Sequence, residues 1–162
     1  MIDPRLVVFR RDPSATAYPT APFSPSEAYL EYPFATAEGG LSRAPNPVYG
    51  LFRETLAGLG LDRERFGTPG WNPLRAFVSP GQTIVLKPNF VQHFHGRGLG
   101  TDVLLTHGSL LRAALDYAFL ALRDDDGIVR GRIVLGDAPL QRGDFAEIVR
   151  HKVSLPYHEP SR

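Results

Sequence analysis

Five polar residues lie where two predicted strands and one predicted helix meet, and their types suit the binding of an anion. Lys87 and Asn89 follow one apolar run, and Asp137 follows another. Thr106 and His107 precede an amphipathic segment, and the backbone amides at a helix N-terminus favour an anion. We therefore predict Lys87, Asn89 and Thr106 as ligand-binding residues. His107 and Asp137 are the predicted catalytic residues, because imidazole titrates near neutral pH and a carboxylate can orient it or bind a hydroxyl.

Each of these residues also has a structural interpretation. Lys87 and Asp137 would neutralise each other as an ion pair at the strand ends. Asn89 would complete a turn after proline. Thr106 would cap the helix and leave His107 exposed. The sequence leaves the choice between these interpretations open.

The loop between the first strand and the helix offers two further sites. His93 and His95 alternate along it, so both imidazoles face one side, and Asp102 or His107 would be the third ligand of a metal. Because no clean triad follows, the sequence predicts no metal site. The glycine run at 96–100 does not join a strand directly to a helix as the dinucleotide pattern requires, which favours a mobile loop over a phosphate cradle.

Two short apolar runs and the segment between them predict an α/β fold built on a parallel sheet. The runs cover about 83–87 and 132–136, and continuous apolar character indicates strands buried on both faces. The segment at about 109–122 predicts a helix, with Arg112 and Asp116 facing solvent as an i,i+4 pair. Strands joined in this βαβ manner are parallel. Their carboxyl ends therefore share one edge, where ligands bind in open α/β sheets.

The N-terminal part of the chain predicts an irregular arm. Residues 12–47 carry seven prolines and five aromatic residues. The prolines exclude a long helix or a central strand, and the aromatics predict packing along a surface rather than a floppy extension. We expect burial of Tyr29, Tyr32 and Phe34. Residues 6–9 read as a short first strand, and Asn46-Pro47 is a helix-start signal.

Composition bounds the class of protein. The 162 residues suit one α/β domain, 1–162, and a net charge of +1 gives no electrostatic footprint for nucleic acid. The chain has no cysteine, which excludes disulfides, thiolate zinc sites and iron–sulfur ligation within it. No apolar run is long enough to span a membrane, and the N-terminus does not read as a signal peptide. A cytoplasmic protein is the expectation.

Three ordered motifs resemble the domain of unknown function 362 family. They are an apolar strand ending in Lys-Pro-Asn, a Thr-His pair before a helix, and an apolar strand ending in Gly-Asp, here IVLKPNFV, LLTHGSLLRAALDYAFLAL and GRIVLGDAPLQRGDF. The stretch YPFATAEGGLSRAPNPVYGLFRETLAGLGLDRERFGTPGWNPL resembles the subgroup associated with polysaccharide-biosynthesis gene clusters. The matching motif positions are Lys87, Asn89, Thr106, His107 and Asp137.

The biochemical activity of this family is largely unassigned. Our first hypothesis is an enzyme that acts on an anionic small molecule or a sugar-related metabolite in polysaccharide biosynthesis. The resemblance names no cofactor, and the cysteine-rich iron–sulfur segments of some members are missing here. Members are usually longer, so a truncated N-terminal part of a longer member is an alternative. The chain would then be a non-catalytic binding or assembly module, or an inactive fragment. Its open sheet edge would pair with a second copy or a partner chain.

Overall fold

The structure, a computed structural model, describes residues 5–32 and 40–153. These residues form a mixed α/β arrangement with a small two-stranded parallel sheet. The main elements are α1 (Pro47–Gly58), β1 (Thr83–Leu86), α2 (Gly108–Ala121) and β2 (Arg132–Leu135). Shorter elements are a 3₁₀ turn (Arg63–Arg65), α3 (Phe145–Glu147) and a π-helical turn (Ile148–Val153). No helix within the described ranges combines the length and apolar character that crossing a bilayer requires.

Helix α1 begins where the sequence predicts. The Asn46 side chain accepts the N–H of Tyr49 at 3.2 Å, and Pro47 occupies the first turn, where its missing N–H needs no partner. The helix ends at Gly58, and Gly60 follows with a φ of 73°. A glycine in this left-handed conformation is the usual way to end a helix.

The two strands pair in parallel, as predicted, with Thr83 opposite Arg132 and Val85 opposite Val134. Each strand is one residue shorter than the prediction. Burial on both faces is wrong, because alternate residues are exposed, with Val85 at 66% and Val134 at 37%. The other face meets the core, where Leu135 packs against buried residues. The described residues therefore cover only one face of this sheet.

The backbones of Gly131 and Gln82 approach each other closely at the start of the sheet. Gly131 has a φ of 110°, and a Cβ at this position would lie 2.2 Å from the carbonyl oxygen of Gln82. Glycine tolerates both the positive φ and the contact. The same Gln82 oxygen accepts the N–H of Arg132 at 3.1 Å, so the contact lies beside the first residue of β2.

Two clusters of buried residues form the core around α2. One contains Phe23, Phe90, Leu111 and Ile148. The other contains Tyr49, Trp71, Ala113, Tyr117 and Leu120. Trp71, in the connection between α1 and β1, is fully buried, whereas Phe77 in the same connection is 54% exposed.

Arg112 and Asp116 form the predicted i,i+4 ion pair, but the prediction that they face solvent is wrong. Their side chains are 7% and 1% exposed, and Arg112 Nε lies 2.9 Å from Asp116 Oδ2. The hydroxyl of Tyr49 donates to the same carboxylate oxygen at 3.1 Å. Burial raises the pKa of Asp116. The arm covers this face of α2, since Arg112 Nη1 donates to the carbonyl oxygen of Pro22 at 3.3 Å.

A second buried ion pair fastens the arm to both helices. Glu31 is 1% exposed and accepts hydrogen bonds from Arg53 Nε of α1 at 2.6 Å and from the hydroxyl of Tyr117 of α2 at 3.0 Å. The guanidinium of Arg53 also lies over the ring of Trp71, 5.2 Å from its centroid. This part of the arm is therefore an integral part of the folded unit.

The predicted packing of the arm aromatics is confirmed where the structure describes them. Tyr32 is 5% exposed and Tyr29 is half-buried. Phe34 lies outside the described residues. The predicted first strand at 6–9 is wrong, because these residues form no strand and Val7 is 88% exposed.

Candidate functional site

The carboxyl ends of β1 and β2 lie side by side. Because the strands are parallel, Lys87 and Gly136 follow them at the same edge of the sheet. The N–H of Gly136 donates to the carbonyl oxygen of Leu86 at 3.1 Å, so the pairing continues one step beyond the strands. Topology thus brings together residues that are far apart in sequence.

Lys87 and Asp137 meet at this edge as an ion pair. Lys87 Nζ lies 2.8 Å from Asp137 Oδ1, and the lysine side chain is 71% exposed while the aspartate side chain is 6% exposed. The other carboxylate oxygen accepts the N–H of Phe90 at 2.6 Å. These bonds, that of the Lys87 ammonium above all, lower the pKa of Asp137. Asp137 therefore ties the segment after β1 to the end of β2, and Lys87 keeps most of its surface in solvent.

Asn89 and Thr106 form a second tie at the same edge. The N–H of Asn89 donates to the hydroxyl of Thr106, and the N–H of Thr106 donates to the carbonyl oxygen of Asn89, both at 2.9 Å. The Asn89 side chain makes no hydrogen bond to any part of the chain that the structure describes, and the residue is exposed. The structure thus brings Lys87, Asn89, Thr106 and Asp137 together.

His107 follows Thr106 directly but has different partners. It caps α2, and its Nδ1 accepts the N–H of Ser109 at 3.2 Å and lies 2.8 Å from that serine's hydroxyl. An accepting Nδ1 places the proton of the neutral ring on Nε2. The carboxylate of Asp137 contacts Lys87 and a backbone amide instead of this imidazole. The pairing of His107 with Asp137 that a shared catalytic role would use is therefore not present.

Aromatic rings cover His107. The ring of Tyr18 stacks on the imidazole with centroids 4.1 Å apart and planes at 10°, and Phe23 contacts it edge-on at 5.2 Å. This burial lowers the pKa of His107. Tyr18 is the residue that sequence reasoning missed, and the density of aromatics in the arm was the only signal that pointed to it.

The other two loop histidines are each bonded within their own surroundings. His93 Nδ1 accepts the N–H of Asp144 at 2.9 Å, and His95 Nδ1 accepts the N–H of Arg97 at 3.2 Å. Among the described residues, no three histidine, aspartate or glutamate side chains are grouped so as to hold a metal ion.

Two grooves lie along the arm rather than beside Lys87. One groove of about 560 Å³ is lined by residues 10–12 and 15–18, by Val48 and Leu51 of α1, and by Asp102. A second groove of about 470 Å³ lies along residues 12–19. Neither groove is lined by Lys87 or by the other four predicted site residues.

The resemblance to the domain of unknown function 362 family rests on the sequence motifs alone. The geometry described above is compatible with these motifs lying at one sheet edge, but it does not identify a family. No family model, no curated protein and no solved structure matches the chain.

Proposed function

We propose that the chain binds an anionic small molecule at the carboxyl ends of β1 and β2. The observation that supports this proposal is the convergence of Lys87, Asn89 and Thr106 with Asp137 at one edge of a parallel sheet. Ligands of open α/β sheets bind at that edge. The substrate class, a sugar-related metabolite of polysaccharide biosynthesis, follows from the family resemblance.

Lys87 is the residue that would contact the anion. Its ammonium has three donors, of which one is directed to Asp137 and one makes a long contact of 3.5 Å with the carbonyl oxygen of Pro88, and its side chain is 71% exposed. The exposed amide of Asn89 would add a neutral donor nearby. Asp137 would position the ammonium, but its negative charge would also weaken the attraction of an anion. The expected ligand group is a phosphate or a carboxylate, bound weakly because of this opposing charge.

An enzymatic reaction at this site would need His107. Nδ1 is occupied by Ser109, so Nε2 is the atom that would exchange a proton with a substrate. Because burial lowers its pKa, His107 would be neutral at pH 7 and would act first as a base. Tyr18 stacks on the ring, so such a reaction also depends on access.

Phosphate titration followed by NMR tests the proposed anion site. We expect phosphate to shift the amide signals of Lys87 and Asn89 saturably, and Lys87→Met to abolish this shift while Lys87→Arg retains it. Arg132→Met is the matched control, because it removes one exposed positive charge from the opposite end of the same sheet. Retained binding in Lys87→Met, or an equal loss in the control, would contradict the proposal.

The open face of the sheet favours a second candidate function, that of an assembly module. Parallel sheets occur with both faces covered, and a sheet of two strands is marginal on its own. Here Val85 and Val134 lie opposite each other on neighbouring strands, and they are 66% and 37% exposed. We propose that β1, α2 and β2 form a βαβ unit and that a second copy of the chain covers its open face.

Native mass spectrometry over a range of concentrations tests this assembly. We expect dimers that Val85→Lys dissociates and that Val103→Lys leaves intact, since Val103 is 83% exposed but lies outside the sheet. A protein that stays monomeric at every concentration would contradict self-assembly through the sheet.

A further inference from the structure

One stretch of the arm, residues 11–21, is attached far more weakly than the residues that follow it. Every hydrogen bond that the structure describes for this stretch stays inside it, as when Asp12 Oδ1 accepts the N–H of Ser14 at 2.8 Å. The next residues are bound to the core, since Asn46 Nδ2 donates to the carbonyl oxygens of Phe23 and Ser24 at 2.9 and 3.0 Å. The attachment therefore changes abruptly near residue 22.

Open space separates this stretch from α1. The grooves of about 560 and 470 Å³ described above both run along it. A segment that leaves such space beneath it makes few of the close contacts that stabilise a packed interior. Residues 11–21 can therefore move without displacing the core.

Contacts to the rest of the fold flank the stretch on both sides. On its N-terminal side, Arg10 Nε lies 3.7 Å from a Glu54 carboxylate oxygen of α1. On its C-terminal side, Phe23 has a φ of 63°, a conformation that a bulky residue adopts only when its surroundings enforce it. The stretch therefore lies between an exposed ion pair on one side and a firmly held residue on the other.

The stretch contacts one of the predicted site residues, His107, through the ring of Tyr18. Tyr18 stacks on His107 with centroids 4.1 Å apart, yet the tyrosine is 49% exposed. We propose that residues 11–21 form a strap, and that Tyr18 latches the strap over His107 and controls access to the imidazole. Burial of His107 beneath these rings also lowers its pKa, in agreement with a closed strap.

The strap acts as a regulator only if the anion site of the proposed function exists, because His107 follows Thr106 at that site. Closed, it shields the imidazole, and opening exposes Nε2 to a ligand held near Lys87. The opening itself requires no ligand, so it can be tested separately from phosphate binding.

Carbethoxylation of histidine by diethyl pyrocarbonate, read site by site with mass spectrometry, tests the strap. Tyr18→Ala should speed modification of His107 by about 2- to 12-fold, the factor by which loss of an aromatic stack shifts an opening equilibrium. Tyr18→Phe keeps the ring and should leave the rate unchanged. His93 and His95 are the internal references, and both should react at the same rate in all three proteins.

A second measurement uses the unaltered protein. Urea well below the unfolding midpoint should raise the rate at His107 before it changes the circular dichroism or the rate at His95, because the strap opens without the core. The proposal is overturned if Tyr18→Ala leaves the His107 rate unchanged, or if His107 in the unaltered protein gains reactivity only together with His95. A phosphate titration that fails while these tests succeed would reject the anion site and keep the strap.

Discussion

Replacement of Asp116 by asparagine should leave a buried guanidinium without its counter-ion. Arg112 is 7% exposed at its side chain. It also contacts the Pro22 carbonyl oxygen at 3.3 Å, the Ser24 hydroxyl at 3.4 Å and the side chain of Tyr32, and none of these three groups carries a negative charge. Breaking a buried pair from one side typically lowers the free energy of unfolding by about 3–5 kcal/mol. Burial disfavours the Asp116 carboxylate itself, as its raised pKa indicates, so we expect a loss near the lower value, ~3 kcal/mol.

Urea unfolding followed by circular dichroism measures this loss. The matched control is Glu54→Gln, which breaks the Arg10–Glu54 pair, whose side chains are 39% and 59% exposed. An exposed pair contributes little, so the control should change the free energy of unfolding by less than about 0.5 kcal/mol. Arg112→Met combined with Asp116→Leu removes both charges and should recover most of the loss.

These variants show whether the Arg112–Asp116 pair behaves as a buried or as a solvent-exposed ion pair. A loss below about 1 kcal/mol for Asp116→Asn, similar to the Glu54→Gln control, would show that water reaches the pair and would refute the reasoning. A double variant as unstable as Asp116→Asn would show that packing, rather than an unpaired charge, dominates the effect.

Three further predictions concern the sheet and its edge. Asp137→Ala should lower the free energy of unfolding by about 2 kcal/mol, because it removes the acceptor of the Phe90 N–H, whereas Lys87→Met should lower it by less than about 1 kcal/mol in the same urea titration. Hydrogen bonds lower the pKa of Asp137, so its contribution to the free energy of unfolding should be complete above pH ~4 and lost as the pH falls further. Asp137→Asn should make the free energy of unfolding depend less on pH in this acidic range. Gly131→Ala should lower the melting temperature well beyond Gly81→Ala, because both positions have positive φ but only residue 131 would meet a backbone oxygen; equal effects would contradict the close approach.

The parallel pairing was predictable because its signals are local. β1 and β2 are short apolar runs, and the segment between them has a helical repeat and an N-terminal start signal. Burial of the outer face was not predictable from the same runs. Val85 is apolar whether or not anything packs on it, and the described residues place nothing there that buries it.

Arg112 and Asp116 show the limit of spacing rules. An i,i+4 interval ensures that the two side chains can meet, and they do. It does not specify which side of α2 they occupy, because α2 is apolar around much of its surface. The residues that cover Arg112 and Asp116 come from the arm, about ninety positions earlier in the chain, and no local sequence pattern predicts this contact.

The candidate site also has one part that the sequence predicted and one part that it did not. Topology predicted that Lys87 and Asp137 would approach each other, and the ion pair follows from it. The environment of His107 depends on Tyr18, a residue in an irregular segment without a repeat or a capping signal. Contacts made by such segments are set by three-dimensional packing and cannot be read from spacing.

The pairing of β1 with β2 has a consequence during synthesis. Thr83 pairs with Arg132, so each ladder contact joins positions that are far apart in the chain. At a synthesis rate of about 5–20 residues per second, β1 leaves the ribosome roughly 2–10 s before its partner exists. During that interval Val85 and its neighbours are an unpaired strand, open to association with other nascent chains. Completion of β2 therefore ends the period in which this chain is most prone to aggregate.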